Sequence, residues 1–135
     1  MSAVKVIRSL LTANTAVTAI APAARIIAGI VPQGTPLPAI SVAEVGCPFN
    51  PKIGEIGGNT EATSRVQVTA QTKDYGQAQN LVRLARKACN LQRGTVAGIQ
   101  VVRIVADSLG PDMSGVDPDD VFKPIDFMVT YLEAN

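Results

Sequence analysis

Four aspartates crowd one short stretch, LGPDMSGVDPDDV at 109–121: Asp112, Asp117, Asp119 and Asp120. Clustered carboxylates are hard oxygen donors that can hold calcium or magnesium. The spacing lacks the glycine and closing glutamate of an EF-hand loop. A glycoside-cleaving pair needs two acids fixed across a cleft, which one Gly/Pro-rich connection does not supply. The stretch therefore reads as a solvated acidic loop, with no metal or cofactor assigned to it. Cys47 lies in a Pro/Gly-rich stretch and Cys89 on the apolar face of a helix, without CxxC spacing. Both read as reduced thiols of a cytoplasmic protein. The chain has no histidine. That removes Ser-His-Asp and Cys-His nucleophilic sites and the commonest zinc ligand. GEIGGNT, 54–60, is glycine-rich, but no helix follows it to receive a phosphate. No catalytic residue is assigned.

The remaining chemistry is that of surfaces. Arg83, Arg86 and Lys87 share one side of a helix, with Arg93 just beyond. They suit a solvated face near a helix C-terminus. They also suit pairing with an acidic surface on a neighbouring subunit, for which the aspartate loop is a candidate. Phe49, Ile53 and Ile56 are apolar passengers in a long connection, CPFNPKIGEIGGNTEATS. They either fold back on their own sheet or bury themselves in another copy, where each contributes ~1.5–3 kcal/mol.

The elements that must hold these surfaces follow from periodicity. Val4, Ile7, Leu10 and Leu11 share a helical face, which predicts a helix over 3–13 with Ser2 as N-cap. Asn14 and Thr15 start a short turn that Pro22 ends. Strands are expected at 25–31, 39–46, 64–73, 99–108 and 122–133. The second and third are expected to form a long antiparallel hairpin. Between Asp74 and Leu91 the period lengthens to that of a helix whose buried face is Leu81, Val82, Ala85, Ala88 and Cys89. Asp74 and Gln77 resemble a capping box. Gly94 and Gly98 bracket a turn. Pro124 suggests that the last strand begins unpaired or at an edge. The expected fold is one α+β domain over 1–135, a mostly antiparallel sheet with two main helices on one face and long loops at 47–63 and 109–121.

Composition narrows the function class. Of 135 residues, 47% are hydrophobic and 17% charged, enough apolar material for a core and too little charge for a disordered chain. A net charge of +1 argues against a dedicated nucleic-acid or membrane-surface protein. No run approaches the ~18 apolar residues of a membrane span. Lys5 and Arg8 fall inside the first apolar run, unlike a signal peptide.

The order of segments resembles the tail completion, or tail terminator, proteins of long-tailed bacteriophages, encoded among head–tail joining genes. VIRSLLTANTAVTAI leads into RIIAGIVPQGTPLPAISV; RVQVTAQTKDYGQAQNLVRLARKAC gives strand then helix. GIQVVRIVADSL, an acidic turn and FKPIDFMVTYLE close the chain. The resemblance runs from about Val4 to Glu133. It implies a non-enzymatic virion protein, assembled in the host cytoplasm and located at the tail and neck. Members form rings, typically hexameric, that stop tube polymerisation, dock to the head connector or head-closure protein and leave a channel for DNA. Expected partners are other copies, the tube protein and the connector, with no membrane and no specific DNA binding. The acidic loop, or another acidic or neutral surface, is expected to line the channel. The acidic connection and the 47–63 tip depart from the family pattern and are the expected contact surfaces. A head-closure or tube protein of related fold, and a small enzymatic or ligand-binding α+β domain, are the alternatives.

Overall fold

The structure is a computed structural model and describes residues 2–29, 31–32, 35–46, 59–109, 113–114 and 120–134. Among the described residues, three α-helices, α1 (Ser2–Ala13), α2 (Thr15–Thr18) and α3 (Tyr75–Cys89), accompany seven strands. The strands are β1 (Ile26–Ala28), β2 (Ala39–Gly46), β3 (Asn59–Thr72), β4 (Gly94–Val96), β5 (Ile99–Leu109), β6 (Met113–Ser114) and β7 (Val121–Ala134). They form a sheet in the order β1-β2-β3-β7-β5-β4, with β6 beside β7. Every pairing is antiparallel except β1 with β2. This is the α+β architecture expected, with α1 and α3 in contact on one face of the sheet.

The spine is the β3–β7 ladder, fourteen residues a side, from Asn59 opposite Ala134 to Thr72 opposite Val121. Strand period 2 turns Val66, Val68 and Ala70 of β3 and Ile125, Phe127 and Val129 of β7 toward the helices, where all are buried. Ile7 and Leu11 of α1 and Leu81 and Ala85 of α3 complete the core. The expected β3 began at 64; the strand starts five residues earlier, at Asn59. Asn59–Thr63 has no apolar alternation to reveal it and is a strand because β7 pairs with it. The expected pairing of β2 with β3 is present, from Ala39 opposite Gln71 to Gly46 opposite Arg65.

Several local expectations change. The helix already includes Ser2, so that residue is the first of α1 rather than its cap. The 25–31 strand shrinks to three residues, because a 3-10 turn occupies Ala23–Arg25 and Gly29 takes φ +92°. Gly29 remains tied to β2, its N–H donating to the Val42 carbonyl and its own carbonyl accepting from Ser41 Oγ at 2.6 Å. Asp74 caps α3 as expected, its Oδ1 accepting at 3.3 Å from the N–H of Gly76, the residue beside Gln77. Asn14 caps α2 in the same manner, accepting from Val17 N–H at 3.1 Å.

Pro124 corrects the edge expectation. β7 is central, and Pro124 is buried opposite Thr69 of β3. On its other flank the β5 ladder ends at Ile125 and the β6 ladder begins at Phe122. A residue without an N–H is tolerated in such a gap.

β4 was expected only as part of a turn. It forms a hairpin with β5, Val96 opposite Ile99, through the two residues Ala97 (φ 53°) and Gly98 (φ 78°). Positive φ at both positions is the type I′ geometry that matches strand twist. Glycine adopts it freely, whereas alanine in the left-handed region is strained by ~1–2 kcal/mol. Ala97→Asn, which creates the favoured Asn-Gly turn, should therefore stabilise the protein by up to about 1 kcal/mol in urea unfolding; unchanged or lower stability would contradict this turn geometry.

Candidate assembly surfaces

The basic cluster is where the helical period places it. Arg83, Arg86 and Lys87 are exposed on α3, opposite its buried stripe. Arg83 Nη2 donates to Asn80 Oδ1 at 3.0 Å, one helical turn earlier. Tertiary structure adds what the helix alone could not show. Between α3 and the strands β5 and β7 lies a groove of about 380 Å³. Arg83, Arg86 and Gln79 line one wall, Lys123 and Asp107 the other, over Val82, Ala106 and Ile125. Lys123 lies opposite Ala70 in the ladder, the register that faces the helices, and its Nζ is 5.5 Å from the centroid of the Tyr75 ring. Sequence reasoning passed over Lys123. The signal was present: it is in phase with Ile125, Phe127 and Val129, so a cation stands at an inward-facing position.

Asp107 is already engaged. Arg65 Nη1 lies 2.5 Å from Asp107 Oδ2 and 3.1 Å from Asp126 Oδ2, joining β3, β5 and β7. The Arg65 guanidinium is held above its ordinary value, first by its hydrogen bond to Asp107 and then by that to Asp126. Asp107 falls at an irregularity in β5 between Ala106 and Ser108. A bulge redirects a side chain, and no period-2 reading would bring this residue to Arg65. On the sheet face turned away from the helices, Arg65 is accompanied by Ser41, Thr63, Gln67 and Gln71, all half-buried. Thr63 and Thr130 hydroxyls meet across the ladder at 3.2 Å. Around these residues that face is polar and close to neutral, while Met128 and the exposed Val105, in register with Arg65, add an apolar strip toward β5.

The sheet edges are closed in part from within, at the positions that follow. β4 covers β5 only as far as Val101. Beyond it, Leu91 N–H donates to the Ile104 carbonyl at 2.7 Å, and Ala106 N–H donates to Asn90 Oδ1 at 2.9 Å. At the other edge, Arg8 Nε donates to the Ile26 carbonyl of β1 at 2.8 Å. α1 touches β1 and β4, the strands at the two ends of the sheet order. Occupied ladder groups are poor templates for strand addition.

Of the expected site residues, Phe49, Ile53, Ile56, Asp112, Asp117 and Asp119 lie outside the described residues. Asp120 is described: half-buried just ahead of β7, with Oδ1 buried and making no hydrogen bond. Among the described residues, no three acidic or cysteine side chains are close enough to hold a metal ion. Cys89 is a free thiol deep in the core, and burial pushes it from 9.0 up to about 12.

A family model described as tail completion protein gp17 matches residues 5–116. The chain belongs to the tail completion protein gp17 family. It is thus a structural component of the tail of a phage-like virion. Among solved structures, a chain of the virion of a native gene transfer agent (GTA) particle has a similar fold, with a TM-score of 0.70 at 13% identity. The match covers 96% of this chain and 94% of that one. A comparison with curated proteins finds no match. No helix among the described residues of this tail completion protein is long and apolar enough to cross a membrane.

Two measurements test these surfaces. Asn90→Ala removes the acceptor of the Ala106 N–H, a net loss of ~1 kcal/mol, so exchange of that amide should quicken roughly fivefold. Unchanged exchange would mean that Asn90 does not guard the edge. For Cys89, the folded thiol stays protonated between pH 9 and about 12 while the unfolded thiol ionises. Its contribution to stability is complete below pH 9 and is lost as pH rises through that window. The stability advantage of the wild type over Cys89→Ala should therefore shrink from pH 9 upward; an advantage constant with pH would contradict the burial.

Proposed function

We propose that this tail completion protein assembles as a closed ring, typically six copies, at the head-proximal end of the tail tube. The ring ends tube growth, presents a docking surface to the head connector and leaves a channel for DNA. The protein does this by shape and self-association, without catalysis. The observation that carries the reading is the family match over residues 5–116.

The structure supports it physically. A ring needs head-to-tail contacts between two different surfaces, with a rotation that closes. This chain carries a basic helix face and an acidic segment, which differ in the required way. The occupied positions along its sheet edges, at Ile26, Ile104 and Ala106, oppose indefinite strand-by-strand growth there. A channel that passes DNA must not hold it, because affinity rises with each Lys or Arg contact to phosphate. The neutral polar face around Arg65, Gln67 and Gln71 fits such a lining, as does the acidic segment.

Solution mass measured across concentrations, followed by negative-stain imaging with tube protein present, tests the reading. Single rings capping tubes of uniform length are expected. Open tubes built of this protein alone, or uniform capped tails in virions that lack it, would overturn it.

A further inference from the structure

We propose that the β5 edge of this protein is a docking surface for a different protein of the virion, one that presents an apolar patch with carboxylates around it. The inference goes beyond the ring reading and rests on it in one respect. A ring that caps a tube meets a neighbour along its axis as well as copies at its sides, so it needs a third surface besides the two that close it.

Five large hydrophobic side chains are exposed among the described residues, and three of them share this corner of the sheet. Leu91 is 74% exposed, the most of the five. Its N–H donates to the Ile104 carbonyl at 2.7 Å, which places it alongside β5. Val102 and Val105, each 40% exposed, stand on either side of Ile104 in that strand. Met128 of β7 is in register with Val105 and extends the patch across the sheet. Apolar side chains exposed singly mean little, whereas a group of them rimmed by polar residues marks an interaction site. Leu91 carries a second signal. Its φ is 63°, in the left-handed region that leucine rarely adopts. An exposed leucine held there is costly twice, in backbone strain and in hydrated apolar surface. Glycine at that position would avoid both costs, so nothing within this chain calls for the side chain.

The rim fixes the chemistry of the partner. Arg93 closely follows Leu91, and Arg103 lies between Val102 and Ile104. Both arginines are exposed, and among the described residues no carboxylate pairs with either. A partner with carboxylates around an apolar centre complements them. Two copies meeting through this same corner would set like charges together. Another face of a second copy fits no better: among the described residues, Glu44, Asp74, Asp107 and Asp126 already accept hydrogen bonds. A DNA backbone would satisfy the arginines and leave Leu91, Val102 and Val105 in water.

In the test, the full chain is titrated against the purified tube protein and the purified head connector of the same particle, each in turn. Binding to one of them that weakens as salt rises is expected. Leu91→Gly should weaken it roughly tenfold or more, with an unfolding temperature equal to or above that of the wild type. Val105→Thr, which keeps a branched, strand-forming side chain, should weaken it in the same direction. So should Arg93→Glu/Arg103→Glu.

Binding to neither protein, or binding indifferent to Leu91→Gly or to the charge reversal, overturns the proposal. A lower unfolding temperature for Leu91→Gly overturns it too, because the leucine would then be structural. So does self-association of the chain that Leu91→Gly abolishes, which would make the corner a contact between copies. Duplex DNA binding that depends on Leu91 has the same consequence. Ring assembly is read separately by imaging. Leu91→Gly chains that still close into rings but no longer bind the partner support a third surface acting by itself. If wild-type chains form no rings yet bind through Leu91, the ring reading fails and the docking surface stands.

Discussion

The fourteen-residue pairing of β3 with β7 is the constraint on which the rest of the molecule depends. It joins the middle of the chain to its end, so the sheet exists only when distant segments meet. Once formed, it fixes the register of both strands, and a slip of one residue would turn Phe127 and Val66 away from the helices. β2 and β5 build outward from the two sides of this ladder. α3 is placed by its apolar stripe against β3 and β7, which sets its cations beside Lys123 and Asp107. The groove is thus a consequence of one ladder and one amphipathic helix, with no special local conformation needed to create it.

The edges show a second kind of control. A seven-stranded sheet would normally end in two rows of unpaired N–H and C=O groups, an invitation to uncontrolled strand addition. Here small devices occupy part of them: a hairpin, the side chains of Asn90 and Arg8, and the backbone of Leu91. For a protein of a virion tail, surrounded by copies of itself and of other subunits, this matters functionally. Contacts are steered away from generic backbone pairing and toward side-chain surfaces, where charge and shape discriminate between partners.

Arg65 illustrates how tertiary pairing changes the meaning of a charge. In sequence it interrupts an otherwise polar and apolar alternation. In the fold it lies between Asp107 and Asp126, so a strand cation contributes little net positive potential to the face it occupies. Arg83 and Arg86 are opposite in character. They remain exposed, and their charges are available to a partner.

The sequence by itself determined the elements with strong local period. α1, α3 and β2 were legible within a residue or two, because side-chain burial in a helix or half-buried strand repeats at 3.6 or 2 residues. The layout of helix, strands, helix and strands, and with it the family resemblance, was legible for the same reason. The exposed basic face of α3 followed from the same period. Tertiary structure alone decided the polar first third of β3, the β4 hairpin, the central position of β7 despite Pro124, the partial closure of the edges, and the union of Lys123 and Asp107 with the α3 cations. These depend on pairing between residues far apart in the chain, and a one-dimensional pattern carries no signal for which strand a polar residue will meet.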